Sequence, residues 1–194
     1  MGHVHHAKSS ATFLDSDEIL SELNLKGNEI FMDAGCGDGY IAIKAVEEYL
    51  PDGRVYAVDA YDESIRGLND YKSENNIENL INIEADITKP IPGVEDDSID
   101  VAIMVNVFHG FTSENRDDVI DEFGRILKNG GKMAIMDFKP IELPRGPPVD
   151  IKYSPDELEE IFNNHDFKKI CLNEDIGEEI PEGKSHYLII FEKE

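Results

Sequence analysis

From residue 15 onward, apolar runs of strand length alternate with longer segments in which apolar side chains recur every three or four residues. This alternation predicts a parallel sheet covered by helices on both faces. Asp15-Ser16-Asp17-Glu18, a capping side chain with acids in the first turn, leads into Ile19, Leu20 and Leu23 as a first helix that Gly27 closes. Strands are expected over 29–33, 54–59, 80–85, 99–105 and 132–138, with helices over 40–49, 62–75 and 116–127 between them. The run 99–105 is apolar at nearly every position, as a central strand buried on both faces requires. Val119, Ile120, Phe123, Ile126 and Leu127 share one face of the 116–127 helix, and Asn129-Gly130-Gly131 reads as its C-cap. The stretch from Pro140 to Pro148 holds four prolines and Gly146; it cannot pair into a sheet and is long enough to be functional. Ser154 then caps a helix with Pro155 at its first position, and 168–173 and 186–192 complete the pattern as strands six and seven, an antiparallel pair.

The junction between the first strand and its helix carries the strongest chemical signal. Residues 31–39 read Phe-Met-Asp-Ala-Gly-Cys-Gly-Asp-Gly, so three glycines alternate with other residues where an apolar strand ends. Without side chains at Gly35, Gly37 and Gly39 the chain can adopt positive φ and let a ligand approach its backbone, and the helix that follows offers unpaired amides. The spacing separates this turn from better-known loops. A dinucleotide fingerprint, G-x-G-x-x-G, places its third glycine at position 40, where Tyr40 stands, and the G-K-[S/T] of a phosphate loop is absent. That counts against a nicotinamide-dependent oxidoreductase. Asp59 closes the second strand about twenty residues beyond Gly39, an offset at which an acid accepts hydrogen bonds from ribose hydroxyls, with Ala60 placed to lie against a purine.

The pattern D-x-G-x-G-x-G after a strand resembles that of the class I S-adenosylmethionine-dependent methyltransferases. The resemblance covers about residues 29–139 and implies a Rossmann-like doubly wound α/β fold, a seven-stranded sheet mostly parallel with an antiparallel last strand, occupying residues 15–194 as a single domain behind an N-terminal arm of residues 1–14. It implies S-adenosyl-L-methionine as cofactor, held by Asp33 and the turn Gly35, Cys36, Gly37 and Gly39, then by Asp59 and Ala60. By the same resemblance Asp86 meets the adenine amine, the amide of Ile87 meets a ring nitrogen, and Asn106 lies near the methionine part. Cys36 is expected to pack against the sheet rather than to react. Phe123-Gly124-Arg125-Ile126-Leu127-Lys128-Asn129-Gly130-Gly131-Lys132 is similar to the R-x-L-K-P-G-G signature of the ubiquinone/menaquinone-type small-molecule methyltransferases, with Asn129 in place of the proline.

Composition narrows the acceptor. The net charge is −24, from 18 basic and 42 acidic side chains, so a phosphate backbone is repelled over most of the surface and nucleic acid is not an expected substrate. The Asn/Asp-Pro-Pro-Tyr/Phe motif of amino-directed nucleic-acid methyltransferases is also missing, Met104-Val105-Asn106-Val107-Phe108 standing there instead. No apolar run reaches the roughly 20 residues of a membrane span, and two cysteines, Cys36 and Cys171, form no disulfide framework, so a cytoplasmic protein with no membrane insertion is expected. They are also too few for an arsenic-methylating role, which needs several thiols at the acceptor pocket.

A small-molecule acceptor is therefore the expectation. Transfer from a sulfonium requires chiefly an acceptor held in line with the S–CH3 bond, and a base only where the acceptor loses a proton. His109, just beyond the fourth strand, is the candidate catalytic residue; Phe108 and Phe111 either wall an acceptor pocket or pack in the core, and Asp137, the 139–150 loop and Arg145 are placed to close the cleft. His3, His5 and His6 leave two roles open, a metal site that lacks an evident fourth ligand and an arm folded over the active site. The alternative function is a cofactor- or metal-binding regulatory module with a methyltransferase fold and no transfer activity.

Overall fold

A computed structural model of the chain describes residues 12–194. His3, His5 and His6, and most of the expected arm, lie outside the described residues. The elements run α1 (Ser16–Glu22), β1 (Ile30–Ala34), α2 (Tyr40–Lys44), β2 (Arg54–Asp59), α3 (Asp62–Asn75), β3 (Leu80–Glu84), β4 (Ile99–Val105), α4 (Arg116–Ile126), β5 (Leu127–Phe138), α5 (Pro155–Asn163), β6 (Phe167–Ile180) and β7 (Gly183–Lys193). They build one seven-stranded sheet in the order β3-β2-β1-β4-β5-β7-β6. β7 runs antiparallel to both its neighbours, and the strands from β3 to β5 pair in parallel. The expected fold class holds.

Alternation along the strands sorts their side chains onto two cores. Phe31, Val101, Ile103 and Met136 pack with Ile19 and Leu20 of α1, Ile41 of α2 and Leu68 of α3; Met32, Met104, Ile135 and Phe191 pack with Val119 and Phe123 of α4 and Leu158 and Phe162 of α5. The period of two that places successive strand residues on opposite faces is thus matched by helices on both. Caps act where the sequence offers them. Asp15 accepts from the Asp17 amide at 2.9 Å, and Ser154 with Glu157 forms a complete capping box at α5.

Four boundaries differ from expectation. The helix after the glycine turn is α-helical only to Lys44 and closes with a π-helical turn over Ala45–Tyr49, sealed by the Leu50 amide on the Ala45 carbonyl at 2.9 Å. Asn129-Gly130-Gly131 does not cap α4. Leu127, fully buried, already pairs with Ile99, and the register jumps to Lys132 opposite Val101, so the residues between bulge out of the strand with Gly130 at φ +75°. α1 ends at Glu22, short of Gly27. The last hairpin is longer than its apolar runs, because β6 is an edge strand with a solvated face and tolerates Asn173, Glu174 and Asp175.

Phe162 anchors α5 on the sheet, stacked on Phe191 at 4.2 Å between ring centroids and 5° between planes, with Phe108 and Phe167 each at 5.6 Å. Phe162→Ala is expected to cost about 3–5 kcal/mol in denaturant-induced unfolding; a loss below about 1 kcal/mol would remove it from the anchors of this layer.

Candidate functional site

Between β1 and β4 the strand order changes direction, and α2 and α4 leave toward opposite cores. A crevice at the carboxyl ends of these strands follows from that topology. The glycine turn forms its near side, and each glycine there has its own reason. A Cβ on Gly35 would stand 2.6 Å from Val107 Cγ2, so the loops after β1 and β4 touch with no room for a side chain; a Cβ on Gly39 would overlap Leu68 of α3. Gly37 differs. At φ +55° a Cβ there would meet nothing within 4 Å, so its bare backbone faces open space.

Asp59 binds this turn to β2. Its Oδ2 accepts from the Gly37 amide at 2.8 Å and its Oδ1 from the Tyr61 amide at 2.9 Å, so each oxygen keeps a second lone pair for a hydroxyl. The Gly35 and Cys36 amides donate to the Val58 carbonyl at 2.8 and 3.0 Å. Ala60 is exposed beside it, and so is Tyr61, 45% exposed, an aromatic that sequence reasoning passed over although it follows Asp59 and Ala60 directly. Asp33 sits beneath the turn, buried, accepting from the Ala42 amide at 3.1 Å. Burial raises its carboxyl from 3.8 to about 7, against the Ala42 hydrogen bond and with help from the charges of Asp59 and Asp38. Cys36 is buried, and burial together with Asp33 and Asp59 pushes its thiol far up, so it stays protonated and packs.

Asp86 lies past β3 in a tight turn of its own, with Oδ1 accepting from the Thr88 amide (3.0 Å) and hydroxyl (2.7 Å) and Oδ2 paired with Lys89 at 2.8 Å. The Lys89 and Thr88 contacts hold its carboxyl down at about 2. Ile87 behind it is buried in the core shared with α4 and α5. Asn106 directly follows β4 in the left-handed region, φ +59°, with its amide on the Met136 carbonyl at 2.9 Å.

Beyond β4 and β5 a second group assembles. His109 is buried in a 3-10 turn over Phe108–Gly110, its Nδ1 2.8 Å from Asp137 Oδ1 and its amide donating to Asp137 Oδ2 at 3.0 Å. Phe138 lies at the centre, 4.2 Å from the His186 ring, 6.1 Å from His109, and 6.4 Å from Phe13, which is itself covered by the Arg145 guanidinium at 5.3 Å. Lys152 stands 5.7 Å over the Phe138 ring and donates to the Ile141 carbonyl at 2.6 Å, tying down the proline-rich loop; burial holds its ammonium below the usual lysine range. Phe13, Lys152, Ser185 and His186 were invisible to motif reading because no local pattern surrounds them. Phe108 packs against Phe111, Tyr153 and Phe162 as core. Among the described residues no three His, Cys, Asp or Glu side chains converge as a metal set, and no helix is long and apolar enough to cross a membrane.

A glycine turn with one open face, latched to an acid at the end of the neighbouring strand, has the chemistry a nucleoside-bearing cofactor needs: bare backbone at Gly37 and spare carboxylate lone pairs at Asp59. Residues 25–193 match the family model described as a methyltransferase domain, and the chain belongs to the class I S-adenosylmethionine-dependent methyltransferases. It is 32% identical over 131 residues to an arsenite methyltransferase of Halobacterium salinarum, covering 67% of this chain and 32% of that protein. It is 26% identical over 140 residues to the 27-O-demethylrifamycin SV methyltransferase of Amycolatopsis mediterranei, covering 72% and 50%. The match thus spans about a third to a half of the length of these curated relatives. In fold it is similar to a SAM dependent methyltransferase from Aquifex aeolicus (TM-score 0.79, 23% identity, 92% of this chain and 89% of that one) and to the [4+2]-cyclase SpnF (TM-score 0.69, 14% identity, 91% and 80%).

Asp33 gives a pH signature with a definite sign. The folded chain keeps a proton that the unfolded chain releases between 3.8 and about 7, so this contribution to stability is complete below pH 3.8 and is lost as pH rises through 7. Asp33→Asn keeps an acceptor for Ala42 and removes the titration. Denaturant midpoints of wild type and variant should diverge with rising pH, the wild type losing roughly 1.4 kcal/mol per pH unit relative to the variant across that window; parallel pH profiles would contradict it.

Proposed function

We propose that this chain transfers a methyl group from S-adenosylmethionine to a small-molecule acceptor seated beyond the ends of β4 and β5. The observation that carries this reading is the open face of Gly37 latched to Asp59. Asp33, Gly35, Cys36, Gly37, Gly39, Asp59, Ala60, Asp86, Ile87 and Asn106 are the proposed cofactor-binding residues. Asp59 accepts ribose hydroxyls with its remaining lone pairs, the Gly37 backbone lets the ligand approach, and Gly35 and Cys36 shape the turn from beneath. When bound, the cofactor supplies a methyl group on a sulfonium sulfur, open to displacement by an aligned nucleophile.

His109 is the proposed catalytic base. With Nδ1–H donated to Asp137, the neutral ring carries its lone pair on Nε2, and a proton taken there leaves an imidazolium beside a carboxylate. Such a base suits an acceptor that loses a proton on methylation. The arsenite chemistry of the Halobacterium relative does not transfer readily to this chain, since Cys36 is buried with a raised thiol pKa and Cys171 lies on the edge strand β6.

Two measurements test the proposal. Titration calorimetry with S-adenosylhomocysteine should show binding by the wild type that Gly37→Val or Asp59→Ala abolishes or weakens at least tenfold; equal binding by both variants would sink the cofactor site. With methyl-labelled cofactor and a metabolite extract, His109→Gln should lower label transfer by about 10²-fold or more while leaving S-adenosylhomocysteine affinity within about threefold. Binding without label transfer by the wild type would favour a module that keeps the fold and has no transfer activity.

A further inference from the structure

We infer that His186, on β7, is a positioning residue that holds the Asn106 side-chain amide in place through a hydrogen bond from its Nε2 to Asn106 Oδ1, backed by Ser185 of the β6–β7 hairpin. The inference rests on the proposed placement of Asn106 beside the cofactor. An asparagine amide has two faces of opposite polarity and a soft terminal torsion, so by itself it presents either a donor or an acceptor.

The sense of these hydrogen bonds is set at Asn106, since Ser185 Oγ has two lone pairs and can accept from both of its neighbours. The Glu178 backbone N–H can only donate, and it donates to Ser185 Oγ at 3.0 Å. Ser185 Oγ is 2.6 Å from His186 Nδ1, and His186 Nε2 is 3.1 Å from Asn106 Oδ1. His186 is fully buried, and burial holds its imidazole down at about 4, so it is neutral near pH 7 and carries one hydrogen. Asn106 Oδ1 accepts only, which places that hydrogen on Nε2 and leaves Nδ1 to receive the Ser185 proton. Every contact then pairs a donor with an acceptor. The Asn106 carbonyl turns toward β7.

The hairpin is shaped around this ring. The β6–β7 register shifts on both sides of Ile176, which pairs with His186, and such bulges re-aim the backbone. Gly177 follows at φ +91°, where a Cβ would lie 2.7 Å from His186 Nδ1, so a side chain there would displace the ring. Phe138 at 4.2 Å and Phe13 at 6.2 Å pack beside the imidazole.

A purely packing role for His186 makes a different prediction, and a double-mutant cycle on S-adenosylhomocysteine affinity separates the two. His186→Phe keeps an aromatic ring beside Phe138 and removes both nitrogens; Asn106→Ala removes the amide. Asn106→Ala should weaken binding about tenfold and His186→Phe about fivefold, with the double variant no weaker than Asn106→Ala alone. Additive losses, or a His186→Phe variant that binds as wild type while Asn106→Ala does not, would overturn the inference and leave the proposed function standing. Wild type that fails to bind would overturn both. Where His186→Phe does not fold, Ser185→Ala takes its place in the cycle, with a smaller loss of about twofold to threefold that must again vanish in the Asn106→Ala background.

Discussion

The loops that follow β1 and β4 begin in contact and end on opposite sides of the sheet, and the site depends on that single divergence. Gly35 against Val107 is the point of contact, with no space for a Cβ. From there α2 packs with α1 and α3 on one core while α4 and α5 close the other. The crevice is a consequence of connectivity, and the chain places its polar residues on the strand ends that border it. Asp33 stands near the end of β1 and the glycine turn follows it, Asp59 ends β2, Asn106 directly follows β4 and Asp137 stands near the end of β5. Because the strands are hydrogen-bonded neighbours in fixed register, these groups are held relative to one another by the sheet rather than by the loops.

The half of the site that was legible in the sequence is the half built from local chemistry. A strand, a glycine turn and a helix start are contiguous, and the acid after the next strand falls at an offset set by one helix and one strand, so residues 29–59 carry their own geometry. His109 is singled out in the same way, from its place after β4. Its partner Asp137 is 28 residues away and His186 lies 80 residues from Asn106, joined only by the antiparallel insertion of β7 beside β5. No period or spacing records such a pairing. The misread boundaries have a related origin: Asn129-Gly130-Gly131 suits a helix cap and a strand bulge equally well, and the burial of Leu127 against Ile99, a tertiary fact, decides between them.

The excess of acids shapes the surface more than the interior. Few of the 42 acidic side chains are buried, and those that are have definite partners: Glu122 accepts from the Ile91 amide and from Arg125, Asp137 from His109, Asp59 from two turn amides. Asp33 is the exception that shows the cost. Its one hydrogen bond, from Ala42, is outweighed by burial and by the neighbouring acids, so it gives up its charge near neutrality instead of finding a cation.

His109 and His186 flank the same Phe138 ring, and their surroundings differ. His109 touches a buried carboxylate through both its ring and its backbone, so a proton gained on the ring is met by an opposite charge within hydrogen-bond distance. His186 feels Asp137 only through space, together with the opposing charges of Lys152, His109 and Lys139, and its direct partners are a hydroxyl and an amide. Burial without a bound counter-charge keeps it neutral, and a neutral imidazole has one donor and one acceptor in fixed places. The first environment suits the proposed base, the second a group that keeps one protonation state. A carboxylate placed at Ser185 would erase that distinction, because it would stabilise the charged ring and turn both nitrogens of His186 into donors.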